Sequence, residues 1–127
     1  MIKVYKSEDL TAFDFKTLQK KISELFQLNC EIATMAFEKP IDSSDINPKH
    51  WVKIAALICK HYHIYNGHVV LYGSDTMSYT VFGLSFILEN LEKLVILTGS
   101  QLPIGDLRTD AKDDLITAIQ IASLQEK

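Results

Sequence analysis

The sequence predicts an α/β domain of three layers, a mainly parallel sheet between two layers of helices. Apolar runs that read as strands alternate with stretches of helical spacing along the 127 residues. The connections between successive strands are 14 residues or longer, which suits crossovers between parallel strands and not hairpins. The strands His68–Leu71 and Leu94–Leu97 are unbroken apolar or near-apolar runs, the pattern of strands covered on both faces.

Taken in order, residues 1–15 show no clear period and read as a loop entering the first helix. From Phe15 the apolar positions Leu18, Ile22, Leu25 and Phe26 have helical spacing, with Asp14 as cap and an end near Asn29. Cys30–Phe37 reads as a strand closed by Lys39-Pro40. Asn47 and Pro48 form a helix start, since proline at the first helical position lacks only an N–H that would be unpaired anyway. That helix carries Trp51, Ile54, Ala55, Ile58 and Tyr62 on one stripe and should run over about 48–64, with Asn66-Gly67 as its stop signal. Residues 76–91 read as a helix apolar on nearly all sides, and therefore sandwiched between sheet and helices or against a partner subunit. A last helix begins near Asp110 with Leu115, Ala118, Ile119 and Ala122 on one face. The whole reads as a Rossmann-like or flavodoxin-like arrangement in a single domain.

Composition narrows the functional classes. Apolar residues make up 47% and charged residues 23%, an ordinary balance for a packed globular core. Thirteen basic and 16 acidic side chains give a net charge of -3 with no basic face, so no nucleic-acid partner is expected. The longest apolar run, Val81–Leu88, falls far short of the ~20 residues that span a bilayer, and Met1–Lys6 is too short and charged for a signal peptide. Cys30 and Cys59 lack metal-ligand spacing and suit reduced thiols in a cytoplasmic protein. His61 and His63 are two apart and face different sides of a helix, so neither a metal nor another cofactor is expected.

Polar clusters follow the strands at 42–47, 73–76 and 98–101, whereas the helix-to-strand turns are plain. In open α/β sheets, sites lie beyond the carboxyl ends of the strands. Ser43, Ser44, Asp45, Ser74, Asp75, Thr76, Ser100 and Gln101 should therefore share one crevice. The alternative is that such residues are caps and turn formers, the favoured reading for Asp45 and Ser100. At Ser74-Asp75-Thr76 one cap is needed and three polar groups are present, so both readings stay open there.

The central stretch Gly73-Ser74-Asp75-Thr76-Met77 resembles the G-T-D-T-M signature of bacterial-type L-asparaginases. The resemblance extends through Leu88-Glu89-Asn90-Leu91, Thr98-Gly99-Ser100-Gln101-Leu102-Pro103 and Arg108-Thr109-Asp110, and upstream to Ile41-Asp42-Ser43-Ser44-Asp45 and Trp51. It is nearest to the cytoplasmic type I branch. It implies an amidohydrolase that converts L-asparagine, or L-glutamine, to the acid and ammonia through an acyl-enzyme, without a cofactor. By the same resemblance Ser74 takes the place of a triad threonine. Asp75 would hold the substrate ammonium and Ser43 its carboxylate, with Ser44 beside it; Thr76, Ser100 and Gln101 would support these contacts. Full-length relatives are homo-oligomers.

Departures accompany the match. The chain contains no Gly-Gly, the mark of the family's nucleophile loop; Tyr72 stands where a histidine is usual, Ser74 where a threonine is, and Leu94 where a proline is common. Residues 1–127 are accordingly expected to be a partial N-terminal domain, without the first strand and its nucleophile loop, the triad lysine and the C-terminal domain. The isolated chain should then be inactive and poorly soluble. The competing reading is a non-catalytic module that binds an acidic amino acid or pairs with a complementary chain.

Overall fold

The computed structural model describes residues 3–6, 9–12, 20, 22–35, 37, 41–99 and 110–124. Its centre is a parallel pair of strands, β3 (His68–Leu71) and β4 (Val95–Thr98), in the register His68↔Val95 to Leu71↔Thr98. Among the described residues, three α-helices pack on this pair: α1 (Pro48–His61), α2 (Met77–Ile87) and α3 (Ala111–Ser123). Alternate residues of a strand point to opposite faces, and the two faces meet different partners. Val70, Val95 and Leu97 pack with Ile54, Ala55 and Ile58 of α1 and Leu84 of α2. Val69 and Leu71 pack with Leu115 and Ile119 of α3 and with Ile22 and Leu25. Helices thus cover both sides of a parallel pair, the three-layer arrangement expected.

The start of α1 follows the local chemistry. The Asn47 side chain accepts from the Lys49 N–H at 3.0 Å, Pro48 opens the helix, and His50 Nδ1 accepts from the Asn47 N–H at 3.1 Å. Its end is different from the expected glycine stop. The α-helix closes at His61, and no described glycine has a positive φ. Lys93 caps the helix end by donating from Nζ to the carbonyls of Tyr62 (2.6 Å) and Tyr65 (2.8 Å). Gly67 serves another purpose: the Ala122 carbonyl of α3 lies where a Cβ would be.

Three expectations are corrected. Within 1–15, read as a loop, the strands β1 (Lys3–Lys6) and β2 (Asp9–Ala12) pair antiparallel, held by backbone pairing that leaves no hydrophobic period to read. Over 15–29, Lys20 is helical, but Ser23–Gln27 is a 3-10 helix. In that tighter coil residues three apart eclipse, which aims Ile22 and Leu25 together at α3. The remaining positions of that helix, 15–19 and 21, lie outside the described residues. The strand expected at 30–37 has no ladder over 30–35 and 37. Leu28, Cys30 and Ile32 alternate inward against the core as a strand would, but no described strand lies beside them.

Helix α2 buries one side only. Thr80, Gly83 and Leu84 are enclosed, while Tyr79, Phe82 and Phe86 are each about two-thirds exposed. The sandwich expected for this helix is complete on its inner face alone.

Candidate active site

The site forms where β3 ends. Tyr72 continues the strand line into the core, and its N–H bonds the Thr98 carbonyl at 2.9 Å. Gly73, Ser74 and Asp75 then turn the chain into α2, with Thr76 at the N-cap position. The loop before α1 meets this turn from the other side. Ser43–Asp45 is a single 3-10 turn opened by Asp42, whose carboxylate accepts from both the N–H (3.0 Å) and the hydroxyl (2.9 Å) of Ser44. Gly73 is what allows the two to close up, because a Cβ there would overlap the Ser43 side chain.

Three groups converge across a separation of more than thirty residues. The Ser43 hydroxyl donates to Asp75 Oδ2 at 3.4 Å, and the Thr76 hydroxyl donates to the Ser43 carbonyl at 2.5 Å. From the solvent side the Ser74 hydroxyl donates to Asp75 Oδ1 at 3.5 Å. Ser43 is 1% exposed whereas Asp75 is open to solvent. The exposed Asp75 carboxylate thus has one of its oxygens facing a donor held in a buried residue.

Of the residues singled out in the sequence, Ser43, Asp75, Ser74 and Thr76 meet. Ser44 turns away to Asp42, and the exposed Asp45 has its N–H on the Asp42 carbonyl at 2.9 Å. Ser100 and Gln101 lie outside the described residues, although Gly99 before them passes close to the Tyr72 carbonyl. Thr76, at the N-cap position of α2, makes no side-chain capping bond and sends its hydroxyl to the Ser43 carbonyl.

Sequence reading missed what lies behind the cluster. The Tyr72 hydroxyl is 3.1 Å from Thr76 Oγ1 and 2.6 Å from Thr80 Oγ1, and the Trp51 indole N–H donates to Thr80 Oγ1 at 2.8 Å. The one available signal was the spacing of Tyr72, Thr76 and Thr80, four apart along the strand end and helix. A cleft of about 300 Å³ opens beside them, between Pro48 and Trp51 on α1 and Thr76 and Tyr79 at the start of α2. Among the described residues no three His, Cys, Asp or Glu side chains gather as metal ligands. No described helix is long and apolar enough to cross a membrane.

At the opposite end of β3, His68 stacks on Tyr62 with ring centroids 5.9 Å apart, and its Nε2 is buried without a hydrogen bond. Burial, with smaller effects from the Lys93 and His61 charges, holds its pKa below the ordinary 6.5.

A parallel strand pair between helix layers, with hydroxyls and a carboxylate at its carboxyl end, marks an α/β domain with a candidate strand-end site. The family described as Asparaginase, N-terminal matches residues 1–127, and the chain belongs to it. It is similar to L-asparaginase 1 of Escherichia coli K12, with 51% identity over 83 residues, 65% of this chain and 25% of that protein. A glutamyl-tRNA(Gln) amidotransferase component of Pyrococcus abyssi is 39% identical over 113 residues, 88% of this chain and 25% of that protein. The crystal structure of L-asparaginase I from Vibrio cholerae superposes with a TM-score of 0.80 at 39% identity, covering 93% of this chain and 37% of that one. The chain spans about a quarter of the length of these two curated relatives.

Proposed function

We propose that these residues form part of the active site of an L-asparaginase-type amidohydrolase and that their share of the work is to hold the amino-acid end of the substrate. The observation that carries this reading is the Ser43–Asp75 pair. A zwitterionic amino acid needs an acceptor for its ammonium and a donor for its carboxylate, side by side. Asp75 offers the first and the Ser43 hydroxyl the second. Their mutual bond is long at 3.4 Å, so the hydroxyl gives it up for a substrate carboxylate at little cost. Asp75 also sits just ahead of α2, where the helix dipole favours negative charge.

In this reading the side-chain amide of L-asparagine extends past Ser74. A nucleophile from chain outside these 127 residues bonds to the amide carbon, the C–N bond breaks, and the departing nitrogen takes a proton and leaves as ammonia. Water then releases L-aspartate from the acyl-enzyme. A lysine from outside the same stretch completes the triad with Ser74 in the threonine's place. The N-terminal portion of a cytoplasmic homo-oligomeric enzyme is the fuller form of the proposal, and the free thiols Cys30 and Cys59 accord with that compartment. L-Glutamine is the alternative substrate, and the Pyrococcus abyssi relative keeps amide chemistry of the amidotransferase kind in view.

The test is L-aspartate binding to the 127-residue chain, followed by calorimetry or NMR titration. Asp75→Asn should weaken it by about 10-fold or more, the loss expected for a charge-assisted hydrogen bond worth roughly 1.5–3 kcal/mol. Unchanged affinity would remove Asp75 from the role. Ammonia release from L-asparagine by this chain alone would show that no outside nucleophile is needed.

A further inference from the structure

The polar residues around the site are closely enclosed: Thr80, which lines the cleft with Trp51 and Thr76, is 0%, Ser43 1% and Tyr72 3% exposed. The Thr80, Tyr72 and Thr76 hydroxyls form one connected path from the Trp51 indole to the Ser43 carbonyl, and chemistry dictates the direction of every bond in it. An indole N–H can only donate, so Thr80 Oγ1 accepts from Trp51 at 2.8 Å. A carbonyl can only accept, so Thr76 gives its single proton to the Ser43 carbonyl at 2.5 Å. Thr76 must then accept from Tyr72 at 3.1 Å, and Tyr72, with its own proton committed, must accept from Thr80 at 2.6 Å. Both ends impose the same order: Trp51 to Thr80 to Tyr72 to Thr76 to Ser43. No hydroxyl in the path can reverse without stranding a buried donor.

The path ends on the backbone of the very turn that presents the Ser43 hydroxyl to Asp75. The Ser43 carbonyl also takes the Ile46 N–H at 3.4 Å, which closes the 3-10 turn. Aligned hydrogen bonds strengthen one another in a low-dielectric interior, so the far end of the path bears on the near one.

We propose that Tyr72 and Thr80 are positioning residues for Ser43: through Thr76 they hold the 43–45 turn in the orientation that aims its hydroxyl at Asp75. This rests on the reading of Ser43 and Asp75 as the amino-acid-binding pair. It gives Tyr72, which differs from the family's usual histidine, a task in this chain that a histidine would perform with different geometry.

The experiment uses the 127-residue chain as wild type, Tyr72→Phe, Thr80→Val and Thr80→Ser. Three quantities are read: the indole N–H resonance of Trp51, the sole tryptophan; amide exchange at Asp45 and Ile46; and the dissociation constant of L-aspartate. Tyr72→Phe and Thr80→Val should each speed exchange at Asp45 and Ile46 and weaken L-aspartate by about 3- to 10-fold, the loss of one net hydrogen bond. Thr80→Val should also move the indole resonance. Thr80→Ser, which keeps the hydroxyl, should stay within about 2-fold of wild type in both measures. A folded Tyr72→Phe with wild-type exchange overturns the proposal, as does Thr80→Ser as damaging as Thr80→Val, which would make packing the cause. Should Thr80→Val not fold, Tyr72→Phe carries the test, since it removes one oxygen and keeps the ring. If the variants alter exchange as expected while even the wild type ignores L-aspartate, the positioning path stands and the amino-acid reading fails.

Discussion

Gly73 shows how much of the site depends on one absent methyl group. In the sequence it marks where an apolar strand stops. In the folded chain it is the point at which the end of β3 lies directly against Ser43, the two being thirty positions apart. Gly73→Ala must push Ser43 and its turn outward, since the overlapping atoms include the Ser43 Cβ, which has no rotamer to escape into. We expect a stability loss of about 1–3 kcal/mol, the usual cost of forcing extra volume into a packed contact. L-Aspartate affinity should fall by at least as much as for Tyr72→Phe. A denaturant titration beside a ligand titration checks both, and a variant that binds normally would show that the turn can retreat without losing Asp75. Ser44 gives the opposite lesson. Sequence reading paired it with Ser43, but adjacent residues in a tight turn point different ways, and the Asp42 carboxylate already holds both of its donors.

At the level of elements, β3 has a functional end and a structural end. Its carboxyl end delivers Tyr72 to Asp75; its amino end anchors the exit of α1 through His68. The His68 ring lies on Tyr62, whose hydroxyl accepts from the N–H groups of Glu92 (2.6 Å) and Lys93 (2.8 Å). Protonated His68 would place a charge in a half-buried ring whose Nε2 is enclosed, with the Lys93 charge opposing it. Its folded pKa therefore lies below 6.5, and the unfolded chain binds the extra proton first as pH falls. Stability from neutral His68 is complete above 6.5 and is lost as pH falls from there through the lowered folded value. Thermal unfolding between about pH 8 and pH 5 should show this slope, and His68→Gln should flatten it. An equally steep slope in the variant would assign the effect to other groups. The exposed Glu24–Lys112 pair, which ties the 3-10 helix to α3, also depresses a pKa, that of Glu24, but solvent screens it.

The described residues form two small cores on either side of the strand pair, one around Leu115 and Ile119, the other around Ile54, Ile58 and Leu84. The exterior is less complete than the interior. Tyr79, Phe82 and Phe86 lie along the outer side of α2, with the two phenylalanine rings in edge contact at 4.9 Å. A contiguous aromatic stripe of this kind drives association in water. The 127-residue chain should associate with rising concentration in sedimentation experiments, and the double variant Phe82→Lys, Phe86→Lys should suppress it without changing the fold. Association that persists in the double variant would move the cause to the sheet edges.

Much of this molecule was legible from residues close together in the chain. The Asn47-Pro48 start of α1, the buried stripe of α3, the two parallel strands and the polar turn after β3 all follow from neighbours within about four positions, the reach of caps and hydrophobic periods. What was not legible depends on partners far along the chain. Whether 30–37 becomes a strand rests on another strand lying beside it. Whether Ser43 or Ser44 faces Asp75, and why Tyr72 matters at all, rests on contacts spanning from four to more than thirty residues, and these exist only once α1, α2 and the strand pair have closed around the same buried hydroxyls.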